Sequence, residues 1–244
     1  MTKAPVLILG ARSDIGLAIA HQFAAHGHPI QLALRNAASH ASTKYDLEIR
    51  HGVGVTLHEF DALQTEQHEE MIERLPELPD IAISVVGLLG DQSDSEIHFD
   101  KAIQVMRTNF EGPCSILSVL ANRFAERQSG TLVGVSSVAG ERGRASNYIY
   151  GASKAGLTTY LSGLRNRLAD KNVHVVTVIP GFVRTRMTEG LALPSALTAN
   201  PSAIASLVYR AVTNQQDVVY SRGWRLIMAI IRLIPERIFK RLSL

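Results

Sequence analysis

Tyr150 and Lys154 stand four residues apart at the start of a long amphipathic stretch, and Ser137 precedes the tyrosine by thirteen residues. On a helix, a four-residue step puts both side chains on one face. A phenol titrates near ~10 and is a poor acid or base at neutral pH. An ammonium beside it favours the phenolate. Bringing the tyrosine to ~7 takes about 4 kcal/mol of differential stabilisation, which a close, partly buried cation could supply. Tyr150 would then give or take a proton at a carbonyl or alcohol oxygen. Ser137 would hydrogen-bond the same oxygen and orient it. Taken singly, a Tyr-x-x-x-Lys pair also fits two surface residues on a helix.

A second cluster, Gly10-Ala11-Arg12-Ser13-Asp14-Ile15-Gly16, follows the apolar run Val6-Leu7-Ile8-Leu9. Glycine lets the backbone turn tightly and approach a pyrophosphate, and a helix starting here offers free N–H groups to it. Gly16 would allow close helix–strand packing. Asp14 stands where a middle glycine is usual. Its carboxylate would repel a pyrophosphate, so we expect it to turn back and accept backbone N–H bonds as a helix cap. Dinucleotide folds that select NAD carry an acid at the end of the second strand, whereas this chain has Leu34-Arg35. Arg35 and Arg12 could both reach a 2′-phosphate. That favours NADP(H), with NAD(H) the alternative; Arg35 could instead be a solvated loop charge.

These residues need elements to hold them. Short apolar, β-branched runs predict strands at Val6–Leu9, Ile30–Leu34, Val53–Glu59, Ile81–Val86, Gly130–Val135, Val173–Ile179 and Asp217–Tyr220. Helical periodicity falls between them, near Ile15–Ala25, Thr65–Arg74, Lys101–Arg127, Tyr148–Lys171 and Pro201–Thr213. Nearly continuous apolar strands suit a parallel sheet covered on both faces. The alternation predicts a single-domain α/β fold of the Rossmann type, a doubly wound, mainly parallel seven-stranded sheet with helices on both faces. Ligands of such sheets bind beyond the carboxyl ends of the strands, which is where the clusters above fall.

Over nearly its whole length the chain resembles the short-chain dehydrogenase/reductases. The motifs that carry the resemblance are Gly10-x-x-x-Asp14-Ile15-Gly16, Asp61-Ala62, Asn109, Ser136-Ser137, Tyr150-x-x-x-Lys154 and Pro180-Gly181-Phe182-Val183-Arg184-Thr185, in the family's order and spacing. The resemblance implies a catalytic tetrad of Asn109, Ser137, Tyr150 and Lys154, which exchanges a proton while a nicotinamide cofactor carries hydride. It implies that Lys154 and Tyr150 also touch the nicotinamide ribose, and that Asn109 supports a water relaying protons through Lys154. Asp61 and Ala62 would lie at the adenine, Val183 and Thr185 at the carboxamide, and Val86 and Gly87 beside the cofactor. The family commonly has Asn-Asn-Ala-Gly where this chain reads Ser84-Val85-Val86-Gly87, which removes side-chain bonds that steady the sheet but leaves the tetrad intact.

Shorter strings, among them Gly87-Leu88-Leu89-Gly90-Asp91, Ala139-Gly140-Glu141-Arg142 and Val183-Arg184-Thr185-Arg186-Met187, resemble decaprenylphosphoryl-2-keto-erythro-pentose reductase-like members of the family. That narrower resemblance implies reduction of a keto sugar on a polyprenyl phosphate. A ketoacyl or other small soluble carbonyl compound is the alternative, and a non-catalytic nucleotide sensor is a third reading from another class. The intact tetrad argues against the sensor. Arg142, Arg144, Arg184 and Arg186 could meet a substrate phosphate or pair with carboxylates.

The chain divides at residue 222. Residues 1–222 read as the nucleotide-binding and catalytic domain, and 223–244 as a basic amphipathic extension. The segment Arg222–Leu244 carries Arg222, Arg225, Arg232, Arg237, Lys240 and Arg241 against Glu236 alone. Pro235 suits the first turn of a new helix, with Ile238, Phe239 and Leu242 expected on one face. Such a tail could anchor at an anionic membrane surface or pack on its own domain or a neighbouring subunit. Long helices at 109–127 and 148–171 resemble the family's dimer and tetramer interfaces, so a homodimer or homotetramer is expected; their apolar residues could instead all face their own sheet.

Composition excludes several other classes. The chain has 244 residues, 46% of them hydrophobic, which is too apolar for a disordered chain. Cys114 is the only cysteine and cannot pair within the chain, which points to a reducing, cytoplasmic setting, peripheral at the inner membrane face if the tail anchors. A net charge of +3 and the absence of a nucleic-acid-binding motif argue against nucleic acid. No apolar run reaches the ~18 residues of a spanning helix. The nine histidines show no metal-ligand spacing, so no metal is expected.

Overall fold

Successive side chains of a strand point to opposite faces, and β1 (Val6–Leu9) divides its four residues accordingly. Val6 and Ile8 join Ile19, Phe23, Ile204 and Val208 in one buried cluster, while Leu7 and Leu9 join Ile116, Leu120, Phe124 and Leu161 in another. The computed structural model describes residues 3–242, so the first two residues of the predicted domain and the last two of its tail lie outside the described residues. The further strands are β2 (Ile30–Leu34), β3 (Val55–Glu59), β4 (Ile81–Ser84), β5 (Gly130–Val135), β6 (Val173–Ile179), β7 (Phe182–Val183), β8 (Thr198–Ala199) and β9 (Val218–Tyr220). Seven of them form the sheet that separates the two clusters, in the order β3-β2-β1-β4-β5-β6-β9, and every pairing is parallel. Helices α1 (Asp14–Ala24), α2 (Ala41–His51) and α8 (Pro201–Thr213) cover one face; α3 (His68–Glu73), α6 (Gly112–Arg127) and α7 (Tyr148–Leu168) cover the other. This is the Rossmann-type α/β fold expected. The strand order reverses between β1 and β4, and the crevice above such a switch point is where these sheets bind ligands.

Several boundaries differ from the sequence reading. β4 ends at Ser84, because Val85 and Val86 already turn over Gly10. The pattern predicted as one helix over 101–127 is three joined segments: α5 (Phe99–Met106), a π-turn at Arg107–Glu111, and α6. A short helix α4 (Gln92–Ile97) precedes them. α2 escaped prediction because Leu47 is its one buried side chain, which leaves no apolar period to read.

Beyond Val183 a two-stranded parallel ribbon, β7 with β8, frames a loop over the carboxyl end of the sheet. The tail then forms α9 (Trp224–Leu233) and α10 (Glu236–Phe239) and packs on the same domain. Trp224 and Met228 are buried with Val138 and Ile179. The indole stacks edge-on against Phe182 and donates to the Leu197 carbonyl at 3.1 Å. Gly181 is required there, since a Cβ would fall within 2.0 Å of the indole ring. Ile238, Phe239 and Leu242 do not share a face as expected. Phe239 turns inward under Arg142, and Ile238 and Leu242 face outward. Pro235 is the residue before α10 rather than its first turn.

Candidate active site

The tetrad candidates come from three separate elements. Ser137 follows β5, Tyr150 and Lys154 lie in the first turns of α7, and Asn109 sits in the π-turn. The fold brings all four to the carboxyl end of the sheet beside the β1–β4 crevice. The Ser137 hydroxyl hydrogen-bonds the Tyr150 phenol, which lowers that group's pKa, but burial outweighs the bond and pushes the phenol up to about 12. The Lys154 ammonium is buried 5.9 Å from the Tyr150 ring centroid, and burial pulls it down to about 8. It donates to the carbonyls of Val86 at 3.2 Å and Val135 at 3.1 Å. The expected lowering of the phenol by Lys154 is not among the causes of its shift, which are burial and the Ser137 bond.

Asn109 is fully buried. Its Oδ1 accepts from Leu88 N at 3.0 Å, and its Nδ2 donates to the carbonyls of Leu88 at 2.7 Å and Val105 at 2.8 Å. The side-chain amide is thus committed to holding the Gly87–Leu88 loop beside Lys154. The π-turn gives the widened register that aims this amide inward; such turns recur at functional sites. Sequence reasoning named Ser136 in a motif but gave it no task. Its hydroxyl donates to the Lys154 carbonyl at 2.9 Å and meets Thr158 Oγ1 at 2.6 Å, fixing α7 against β5. A serine adjacent to Ser137 and facing the opposite way was the available signal.

The glycine turn is built as a close-approach site. Gly10 has φ +86°, and a Cβ there would lie 3.1 Å from Val86 N; one on Gly16 would meet the Gly10 carbonyl at 2.9 Å. Ser13, not Asp14, caps α1: its Oγ accepts from Gly16 N at 3.0 Å. Asp14 and Ile15 begin the helix, and their N–H groups have no intrahelical acceptor, as a phosphate cradle requires. The residues present therefore fit a dinucleotide. The Asp14 carboxylate turns away from its own helix. It accepts from Arg186 N at 2.7 Å and Arg186 Nε at 2.9 Å, and Arg186 Nη2 donates to the Arg12 carbonyl at 2.6 Å. The expectation of a self-capping Asp14 is corrected: a neighbouring guanidinium neutralises it. From this pairing we expect Arg186→Ala to raise the Kd for NADPH about tenfold, ~1.4 kcal/mol, by leaving a bare carboxylate beside the pyrophosphate. Adding Asp14→Gly should restore binding to within about threefold. Fluorescence titration checks both; equal weakening in the double variant would refute the pairing's role.

Arg12 and Arg35 are exposed at the mouth of the crevice, and Glu59, the nearest strand-end acid, spends its carboxylate on Asn36 N and Ala37 N at 2.9 and 2.8 Å. Asp61 Oδ1 accepts from Leu63 N at 3.0 Å, and Ala62 is buried against Gly112. Val183 is buried, and Thr185 N is held at 3.1 Å by the Thr188 hydroxyl. A cleft of about 420 Å³ opens here, lined by Arg184, Thr185, Thr188, Leu191 and Thr198 among others.

The four arginines left open by the sequence separate. Arg142 and Arg186 pair with Glu236 and Asp14. Arg184 is exposed at the cleft with no carboxylate partner among the described residues. Arg144 is half-buried, its pKa lowered by burial; its Nε has no hydrogen-bond partner and its Nη2 touches Met228 Sδ at 3.7 Å. Burial pushes the half-buried Cys114 thiol up to about 12. Among the described residues no group of three or more potential ligands could hold a metal, and no helix is long and apolar enough to cross a membrane.

Residues 4–194 match the family model for short chain dehydrogenases. An oxidoreductase of Mycobacterium tuberculosis named as uncharacterised is 36% identical, over 98% of this chain and 97% of its own. A 3-oxoacyl-[acyl-carrier-protein] reductase of Chlamydia muridarum is 26% identical, over 90% of this chain and 93% of its own. Among solved structures, a short-chain dehydrogenase from Sphingobium yanoikuyae in complex with NADPH superposes with a TM-score of 0.83 at 21% identity, covering 93% of each chain. None of these names carries the keto-pentose substrate of the narrower resemblance.

Proposed function

This chain belongs to the short-chain dehydrogenase family, and from that premise we propose an NADPH-preferring reductase of ketones that bear an anionic group. A polyprenyl-phosphoryl 2-keto-pentose is the leading substrate. The observation that carries the reductase reading is the Ser137–Tyr150 hydrogen bond with the buried Lys154 beside it. A nicotinamide, when bound, supplies the hydride. The chain's own residues handle the proton: Ser137 orients the ketone oxygen, and Tyr150 holds a proton at its phenol oxygen and releases it there. Lys154 provides positive charge under the tyrosine, and Asn109 fixes the Gly87–Leu88 loop that walls the pocket.

The anionic part of the substrate class rests on Arg184, which lines the cleft with Glu189 but pairs with no carboxylate among the described residues, and on Arg144, half-buried on the loop between Ser137 and Tyr150 with its Nε unpartnered. Arginine suits phosphate through its planar fork. The preference for NADPH rests on Arg12 and Arg35, both exposed where a 2′-phosphate would emerge, and on the engagement of Glu59 elsewhere. A ketoacyl thioester is the second reading, favoured by the name of the Chlamydia relative. Association into a homodimer or homotetramer is favoured by Phe99, Ile103 and Phe110, which are exposed along α5 and the π-turn beside α7.

Parallel titration with NADPH and NADH, followed by a ketone panel, tests the reading. We expect NADPH to bind about tenfold tighter or more, and phosphorylated ketones to exceed neutral isosteres in kcat/KM. Tighter NADH binding overturns the cofactor preference. A ketoacyl thioester turning over faster than every phosphorylated ketone moves the second reading ahead.

A further inference from the structure

α9 has two apolar faces. Trp224 and Met228 point into the domain, with Ile227 and Ile231 partly covered beside them. Leu226, Ile230 and Leu233, at the i, i+4 and i+7 positions of one stripe, point to solvent and are 68%, 57% and 82% exposed. Ile238 and Leu242 continue as exposed apolar side chains past the end of α9. A helix that needs only to pack on its own domain has no use for a second stripe.

Charge narrows what could cover it. Arg225 and Arg232 flank the stripe, and Arg222, Arg237, Lys240 and Arg241 surround it, all exposed. Among the described residues none of the six is within ion-pair distance of a carboxylate. Glu236, the single acid of the segment, is already paired with Arg142 at 3.0 Å. A two-fold contact between copies of this chain through this face would bring the cations against themselves. An anionic lipid surface meets both features, because apolar side chains enter the acyl boundary while arginines reach headgroup phosphates.

We propose that the outward face of α9 and α10 docks on an anionic membrane surface. The inference does not depend on which ketone is reduced. It places the docking face next to the loop between Ser137 and Tyr150, since Arg142 on that loop also holds the carbonyl ends of α9.

The test is co-sedimentation of the full chain with vesicles of phosphatidylcholine alone or mixed with phosphatidylglycerol. Two variants accompany it: Leu226→Asp/Ile230→Asp/Leu233→Asp and Arg225→Glu/Arg232→Glu. NADPH binding and turnover of a soluble ketone report the fold and the catalytic reading separately. The expected result is binding to the mixed vesicles only, weakened by salt and reduced about tenfold in each variant, with NADPH binding unchanged. If the triple variant loses NADPH binding, the arginine variant, which removes no packed apolar atom, decides. Absence of binding, equal binding to neutral vesicles, or undiminished binding by the variants overturns the proposal. So does a wild type that ignores vesicles while the triple variant dissociates an oligomer, since the face then covers another copy.

Discussion

Tyr150→Phe should lower kcat for ketone reduction about 10³-fold while the Kd for NADPH moves by less than about twofold. The substitution deletes one oxygen and keeps the ring that fills the site. That oxygen is the group bonded to Ser137 and held protonated, with its pKa pushed up to about 12. A phenol that keeps its proton through neutral pH is a poor base in the free chain but a ready donor to an oxygen that becomes alkoxide as hydride arrives. The loss should therefore fall on kcat and leave KM nearly alone, because the proton matters in the transition state and not in the ground-state complex. Steady-state kinetics with a soluble ketone, beside fluorescence titration of NADPH, makes the measurement. Turnover within about tenfold of wild type would remove Tyr150 from the role.

Lys154→Met should abolish turnover and still make the folded chain more stable at pH 7. Lys154 is 3% exposed and has no carboxylate among its partners, only the Val86 and Val135 carbonyls. Its pKa lies at about 8 against an ordinary 10.5. Below about 8 both states are protonated, and the native chain carries the full penalty of the buried charge. Between about 8 and 10.5 the unfolded chain binds a proton that the native chain does not, so stability rises with pH across that window. The shift corresponds to roughly 3 kcal/mol, of which we expect about 1–2 kcal/mol to be recovered, because two carbonyls lose their donor in the variant. Tyr150 acts oppositely above about 10, where the native phenol keeps a proton that the unfolded one loses. Denaturant melts at about pH 7 and about pH 9.5 should show the variant ahead at the lower pH and the gap closing at the higher. A variant less stable than wild type at pH 7 would mean that the ammonium's bonds outweigh its desolvation.

Where the signal was local, the sequence could be read closely. β1, β2, β5 and β6 are apolar runs bounded by turn residues, and their limits in the structure are those of the runs. The four-residue step from Tyr150 to Lys154, with Ser137 directly after a strand, is enough by itself to put three side chains at one end of the sheet. What the sequence hid is non-local. Nothing near Asp14 indicates that its partner is 172 residues away, and a carboxylate next to Gly16 reads as a cap until Arg186 is placed on it. Nothing near Lys154 says that two carbonyls, and not the phenol, receive its protons. In the tail, the alternation of Ile238 and Phe239 between solvent and core depends on Arg142, whose guanidinium lies 3.7 Å over the Phe239 ring. In each case the sequence displays the charged residue, Arg186, Lys154 or Arg142, but not the partner that the fold brings to it.

Arg142 has one more consequence. Its guanidinium donates to the carbonyls of Ile231 and Ile234 at the end of α9 and pairs with Glu236, while its backbone belongs to the loop that runs from Ser137 to Tyr150. The surface helices and the catalytic loop are thus joined through this side chain, beside the packing of Val138 on Trp224 and Met228 and the contact of Arg144 with Met228. If a ligand that orders the loop changes the affinity of α9 for whatever it meets, then by thermodynamic reciprocity engagement of α9 changes the affinity for that ligand by the same factor.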